Sequence, residues 1–185
     1  VLPLYVAAIA AALCLPRWGQ IVLANLLTGA AASATAALSA AALWSHTAQE
    51  ATLAALPFGG LAFRLDGLSA LFLLLIGMVG TATSIYAFGY MSRYTRGQLG
   101  AAGAAQAVLL ASMTATILAD NTFTFLLAWE LMSLGAYLMI LTEPSPETVR
   151  ASSWYLAIAH AGFAAVAAAL LLVSSGNLAT PFEVL

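Results

Sequence analysis

The chain has 185 residues, of which 63% are hydrophobic and 6% charged, with a net charge of −2 and a mean hydropathy of +1.00. A soluble domain carries about 25% charged residues, so this composition cannot wet a globular surface and indicates an integral membrane protein. Cys14 is the single cysteine, which excludes an internal disulfide framework and a multi-cysteine metal site. The basic residues are five scattered arginines with no lysine, so nucleic acid is excluded as a partner.

Apolar runs of about 20 residues without a two-residue alternation indicate helices rather than a barrel. Six such segments are separated by polar, glycine or proline punctuation, giving an all-α membrane protein of about six transmembrane helices. Helix 1 covers Val1–Leu15 and stops at Pro16-Arg17. Its opening lacks the basic start of a secretory signal, so it reads as a first spanning helix. Helix 2 covers Gln20–Trp44 and carries Gly29, Ser33, Ala37 and Ala41 at four-residue spacing. Such a stripe of small residues either lets another helix approach closely or reflects an alanine-rich composition. Residues 46–65 form the longest connection, an extracytoplasmic loop in which "LPFGGLAFRLDG" is compatible with a small surface hairpin.

Helices 3 to 6 follow at Asp66–Met91, Leu99–Leu118, Asn121–Thr142 and Thr148–Ser174. Asp66 is expected to cap helix 3, and Asp120 to cap at the turn between helices 4 and 5. Domain organisation follows: two N-terminal helices in residues 1–45, the loop, helices 3–6 in 66–174, and a connection at 175–185 leading onward. Arg17, Arg93, Arg96 and Arg150 lie in the odd-numbered connections and Arg64 on the opposite side, which predicts an N-terminus outside the cytoplasm. Trp18, Trp44, Tyr90 and Tyr94 near helix ends fit interfacial belts.

Two ionisable residues fall at mid-span. Glu130 sits in "TFLLAWELMSLGAYLMILT", near the middle of helix 5. A charged residue there costs roughly 2.5–3.5 kcal/mol, which the surrounding Leu, Phe and Ile can offset. Ser133 and Tyr137 follow at i+3 and i+7, on the same helical face, as a supporting polar stripe. Desolvation disfavours the charged carboxylate and a nearby cation restores it, so Glu130 reads as a site that takes up and releases a proton. The alternative is a protonated Glu that makes a helix–helix hydrogen bond and nothing more. His160, in "YLAIAHAGFAA" of helix 6, suits proton exchange by its ordinary titration range, or serves as a neutral ring bonded to a backbone carbonyl. Both readings stay open. No phosphate-cradling glycine loop, H-E-x-x-H, G-x-S-x-G or Cys/His cluster is present, so neither a cofactor nor a metal site nor redox chemistry is read from the chain.

The stretch "DNTFTFLLAWELMSLGAYLMI" resembles the fifth helix of the antiporter-like proton-translocating membrane subunits, the family spanning respiratory complex I, multisubunit Na+/H+ antiporters and membrane-bound hydrogenases. "FRLDGLSALFLLL" resembles that family's approach to helix 3, "RASSWYLAIAHAG" its helix 6, and "GNLATPFEVL" the connection that follows. "WELMSL" with "YLAIAHAG" leans toward the large membrane subunit of formate hydrogenlyase and hydrogenase-4 complexes. The resemblance covers Phe63 to Leu185 and is weak over the first two helices.

The resemblance implies a fragment from the N-terminal part of a larger inverted-repeat bundle, set in the bacterial cytoplasmic membrane among other subunits of a respiratory or hydrogenase complex. It implies that Glu130 is the family's helix 5 glutamate, paired with a lysine of a later broken helix, and that His160 stands where relatives place a histidine or another basic residue. This chain has no lysine, so such a partner must come from elsewhere. The function implied is proton translocation within a redox-driven complex. A Na+/H+ antiporter subunit and a structural anchor for a peripheral enzyme are the alternatives.

Overall fold

The computed structural model describes residues 1–45, 48–53, 60–91 and 94–184, excluding the side chain of Arg96. Helix α1 (Leu2–Cys14) is followed by α2 (Arg17–Ser45), a strand pair β1 (Gln49–Leu53) and β2 (Leu61–Leu65), then α3 (Gly67–Tyr90), α4 (Arg96–Leu118), α5 (Thr122–Ile140) and α6 (Pro146–Val173). Five helices, α2 to α6, are long and apolar enough to cross a bilayer. At 1.5 Å per residue, α1 with its 13 residues is about 20 Å long, short of a hydrocarbon core of about 30 Å. The protein is an all-α integral membrane bundle with one small hairpin.

Close backbone approach organises the helices in pairs. A side chain at Gly77 of α3 would come within 2.5 Å of the Ala36 nitrogen and 2.7 Å of the Ala32 carbonyl oxygen on α2. Gly80 lies against Ala32, and Gly29 of α2 against Ser84. Thr81 Oγ1 donates to the Gly77 carbonyl, which leaves it to accept from Ser33 Oγ at 3.0 Å. The small-residue stripe of α2 therefore faces α3 only at Gly29 and Ser33. Ala37 and Ala41 are exposed, because the contact line continues through Ala32 and Ala36 instead. A second pair forms where Gly135 of α5 meets the backbone of Leu109 on α4. Tyr5 of α1, Ala31 of α2 and Leu110 of α4 join the pairs in a buried cluster.

Most buried hydroxyls are answered within their own helix. Thr28, Thr35, Ser84, Ser112 and Thr114 each donate to the carbonyl four residues earlier, the local bond that short hydroxylated side chains make inside helices. Near its start, α2 contains a π turn over Gln20–Ala24. Gln20 Nε2 donates from this turn to the Ala12 carbonyl of α1 at 2.9 Å.

At the hairpin end, three segments are joined through their backbones. β1 and β2 run antiparallel from Gln49↔Leu65 to Leu53↔Leu61; residues 54–59, which carry the "LPFG" part of the loop, lie outside the described residues. The Asp120 amide donates to the Ala62 carbonyl, and the Phe182 amide to the Asp120 carbonyl. Arg64 sits among three carboxylates from the three segments, bonding Glu183 and lying 3.5 Å from Glu50 and 3.9 Å from Asp120. Asp120 thus differs from its expected capping role. Asn121 caps α5 by accepting from the Thr124 amide at 2.8 Å, since its side chain is the one that reaches back over the first turn. Asp120 turns to Arg64 instead, and burial pushes its carboxyl above the usual range against the opposing pull of that guanidinium.

Asp66 does cap α3. Its carboxylate accepts from the Ser69 amide at 2.7 Å while Ser69 Oγ accepts from the Asp66 amide, a reciprocal box. The Ser69 amide bond, followed by the Ser69 hydroxyl, holds this carboxyl below its ordinary value.

Two stability predictions follow from these contacts. Gly77→Val should destabilise the bundle by about 1–3 kcal/mol through forced separation of α2 and α3, whereas Gly162→Ala, with nothing within 4 Å, should stay within about 0.5 kcal/mol; melting in detergent compares them. Asp66→Ala should cost about 1 kcal/mol at neutral pH. Because the native carboxyl titrates below its unfolded value, its contribution is present above about pH 4 and is lost as pH falls through the lowered native value. Melts at descending pH should show the gap to wild type narrowing.

Candidate functional site

α5 is started by the Asn121 cap and runs apolar to Ile140, with Glu130 near its middle. α6 is started by a box in which Ser145 and Thr148 exchange bonds, with Pro146 at the first helical position. The two helices pack side by side, and this brings Glu130 and His160 together at mid-span.

The contact is His160 Nε2 to Glu130 Oε1, 2.9 Å long, with the side chains 46% and 27% exposed. His160 Nδ1 lies 2.9 Å from the Leu156 carbonyl oxygen, one turn earlier in α6. A carbonyl only accepts, so Nδ1 carries a proton and donates. In the neutral ring Nε2 is then bare. A 2.9 Å approach to a carboxyl oxygen requires one proton between them, held either as a carboxylic acid donating to Nε2 or as an imidazolium donating to a carboxylate. Remove that proton and two acceptors face each other. The contact therefore needs at least one proton, and the two forms that hold a single one have zero net charge.

Glu130 Oε2 is buried without a hydrogen-bond partner among the described residues. The expected supporting stripe does not fill that role. Ser133 is buried and donates to the Trp129 carbonyl of its own helix at 3.2 Å, while Tyr137 is half-buried and makes no described bond to Glu130. Among the described residues no three His, Cys, Asp or Glu side chains come together as metal ligands.

Two polar groupings were not legible as such in the sequence. Arg64 was a topology marker, and its three carboxylates lie far apart along the chain. Tyr86, Tyr90 and Tyr94 form a ladder with ring centroids 5.5 and 5.4 Å apart; their four-residue spacing was the available signal. Tyr94 Oη donates to Glu143 Oε1 at 2.6 Å, and burial, followed by that carboxylate, pushes the phenol well above its ordinary value.

A multi-span helical protein that holds a carboxylate–imidazole contact at mid-span belongs to the class in which intramembrane ionisable groups are paired with one another between helices. Residues 59–98, which take in β2, α3 and the first residues of α4, match the family described as NADH-Ubiquinone oxidoreductase (complex I), chain 5 N-terminus. Hydrogenase-4 component B of Escherichia coli is 33% identical over 123 residues, covering 65% of this chain and 18% of that protein. An uncharacterized Mycobacterium tuberculosis protein is 31% identical over 123 residues, 66% of this chain and 19% of its own length. Na(+)/H(+) antiporter subunit A1 of Staphylococcus aureus is 36% identical over 91 residues, 48% of this chain and 11% of the relative. The chain is thus similar, over part of its length, to antiporter-like membrane subunits, and it spans 18% and 19% of the length of the first two relatives. The Glu130–His160 contact lies outside the segment matched to the family.

The tautomer is testable directly. In protein labelled with nitrogen-15 at histidine, His160 should show a protonated Nδ1 throughout the pH range in which the contact is closed. A neutral ring carrying its proton on Nε2 would contradict the geometry.

Proposed function

We propose that the chain is part of a proton-translocating subunit of a redox-driven membrane complex of the hydrogenase-4 or NADH:quinone oxidoreductase kind, and that Glu130 and His160 form one of its proton sites. The observation that carries this reading is the 2.9 Å contact with Nδ1 committed to the Leu156 carbonyl. It gives Nε2 and the carboxylate one proton to share, and a charge brought near the pair shifts where that proton rests. Moving an approaching cation toward Glu130 Oε2 favours the carboxylate and drives the proton onto the ring or away. Its withdrawal favours the acid. No lysine exists in this chain to act as that cation, so it is supplied by other parts of the assembly. Ser133 and Tyr137, on the same face of α5, are its supporting polar residues. The reading includes an N-terminus outside the cytoplasm, a bacterial cytoplasmic membrane and neighbouring membrane subunits as partners.

A second reading, a Na+/H+ antiporter subunit without redox partners, is favoured by the 36% identity to Na(+)/H(+) antiporter subunit A1 over 91 residues. In it the same pair handles protons and sodium is carried elsewhere.

The test is Glu130→Gln in the intact parent assembly, reconstituted in sealed vesicles, with electron transfer and uncoupler-sensitive acidification followed together. Pumping should fall to the level of uncoupled vesicles while the complex remains assembled. Unchanged pumping would leave Glu130 as a packing hydrogen bond and support an anchoring subunit. If acidification instead requires a sodium gradient and no electron donor, the antiporter reading stands.

A further inference from the structure

Three segments meet at Asp120. Its amide donates to the Ala62 carbonyl of β2 at 2.9 Å, and its carbonyl accepts from the Phe182 amide, in the chain after α6, at 3.0 Å. The Ala62 amide donates to Thr124 Oγ1 at 2.9 Å, which ties β2 to the first turn of α5. Around this stitching one guanidinium serves several carboxylates. Arg64 bonds Glu183 and lies 3.5 Å from Glu50, whereas 3.9 Å separates it from Asp120, too far for a hydrogen bond. Asp66 adds a further negative charge from the start of α3, already committed to Ser69.

The carboxylates beside Arg64 are not equivalent. Glu50 and Glu183 are 65% and 61% exposed, so water screens them, while Asp120 is 17% exposed. Burial acts most strongly on Asp120 and disfavours its ionised form. Arg64 opposes burial, and Glu50, Glu183 and Asp66 reinforce it, so the balance favours the acid. Asp120 still meets the medium, because an open pocket of about 580 Å³ is lined by Arg64, Asp66, Asp120 and Glu183.

We propose that Asp120 is a proton-binding residue on the hairpin side, and that its proton closes the joint between β2, the start of α5 and the chain at Phe182–Glu183. With Asp120 ionised, like charges crowd the joint and Arg64 is divided among them. With Asp120 protonated, one repelling charge is gone, and Arg64 commits to Glu183 and Glu50. The site takes its proton from the medium and returns it there. The folded state holds this proton more tightly than the unfolded chain. The added stability is therefore complete below the ordinary carboxylate value, about pH 4, and is lost as pH rises through the raised native value. This site stands apart from Glu130 and His160 and does not rest on their role.

Hydrogen exchange of the full-length protein in its native assembly, followed by mass spectrometry and corrected for intrinsic rates, reads the Asp120 and Phe182 amides. Protection of both should fall about threefold as pH rises from about 4 to about 8, the scale of one partly exposed charge contact. Asp120→Asn, which donates where the acid would, should hold the protected level at every pH. Glu50→Gln removes one repelling charge and should move the response to lower pH; Glu50 is exposed, so this variant keeps its fold and serves should Asp120→Asn not assemble. His46, the histidine of residues 46–65, lies outside the described residues, and His46→Gln should leave the response as it is. The proposal is overturned if wild-type protection is flat with pH, if Asp120→Asn keeps the response, if Glu50→Gln does not move it, or if His46→Gln abolishes it.

Discussion

In hydrocarbon, a polar group that finds no partner inside the protein finds none at all. The rest of this structure follows from how each group meets that demand. Buried threonines and serines meet it locally, through carbonyls one turn back. Helix starts meet it with Asp66, Asn121 and Ser145, whose side chains accept from amides of the first turn. Glu130 has no such local answer. An ionised or protonated carboxyl at mid-span needs a partner from another helix, and α6 provides it by placing His160 alongside. The pair is therefore a tertiary contact with an electrostatic reason for the helices to stay in register.

Backbone proximity sets the remaining geometry. Between α2 and α3 the glycines and alanines bring main chains close enough that a methyl group at Gly77 would collide with peptide atoms. Association between helices in lipid depends on such packing, because exclusion from lipid tails supplies little drive. Tight pairing in two places leaves looser space between the pairs. An open groove beside the tyrosine ladder is the complement of the two close interfaces. α6 is more peripheral still: Ser152 is its one buried residue, and Trp154, Ile158 and Leu172 face outward. A helix so exposed on its apolar face presents that surface to lipid or to neighbouring protein.

Much of this was readable before any coordinates. Composition demanded a membrane bundle, punctuation placed its helices within a few residues, and the cost of an intramembrane charge singled out Glu130 and His160 separately. Their meeting was not readable, because it depends on the relative rotation of α5 and α6, which helical periodicity in one segment does not determine. The same blindness explains Ser133 and Tyr137. They share a helical face with Glu130, yet Ser133 is claimed by Trp129's carbonyl, a local bond that face-sharing cannot foresee. Asp120 and Asn121 are neighbours with similar capping chemistry. Only the position of Arg64, brought close by the β2 strand, decides which turns inward over the helix and which turns away.

The bond from His160 Nδ1 to the Leu156 carbonyl also limits how charge can travel. An imidazole free in water passes a proton across itself, accepting on one nitrogen and releasing from the other. Here the far nitrogen is held against the main chain of its own helix, and that carbonyl has nowhere to send a proton. On the proposed reading, the ring is then a dead end rather than a wire. Whatever arrives at Nε2 must leave by Nε2, so any net direction has to come from exchanging what stands in front of that one nitrogen.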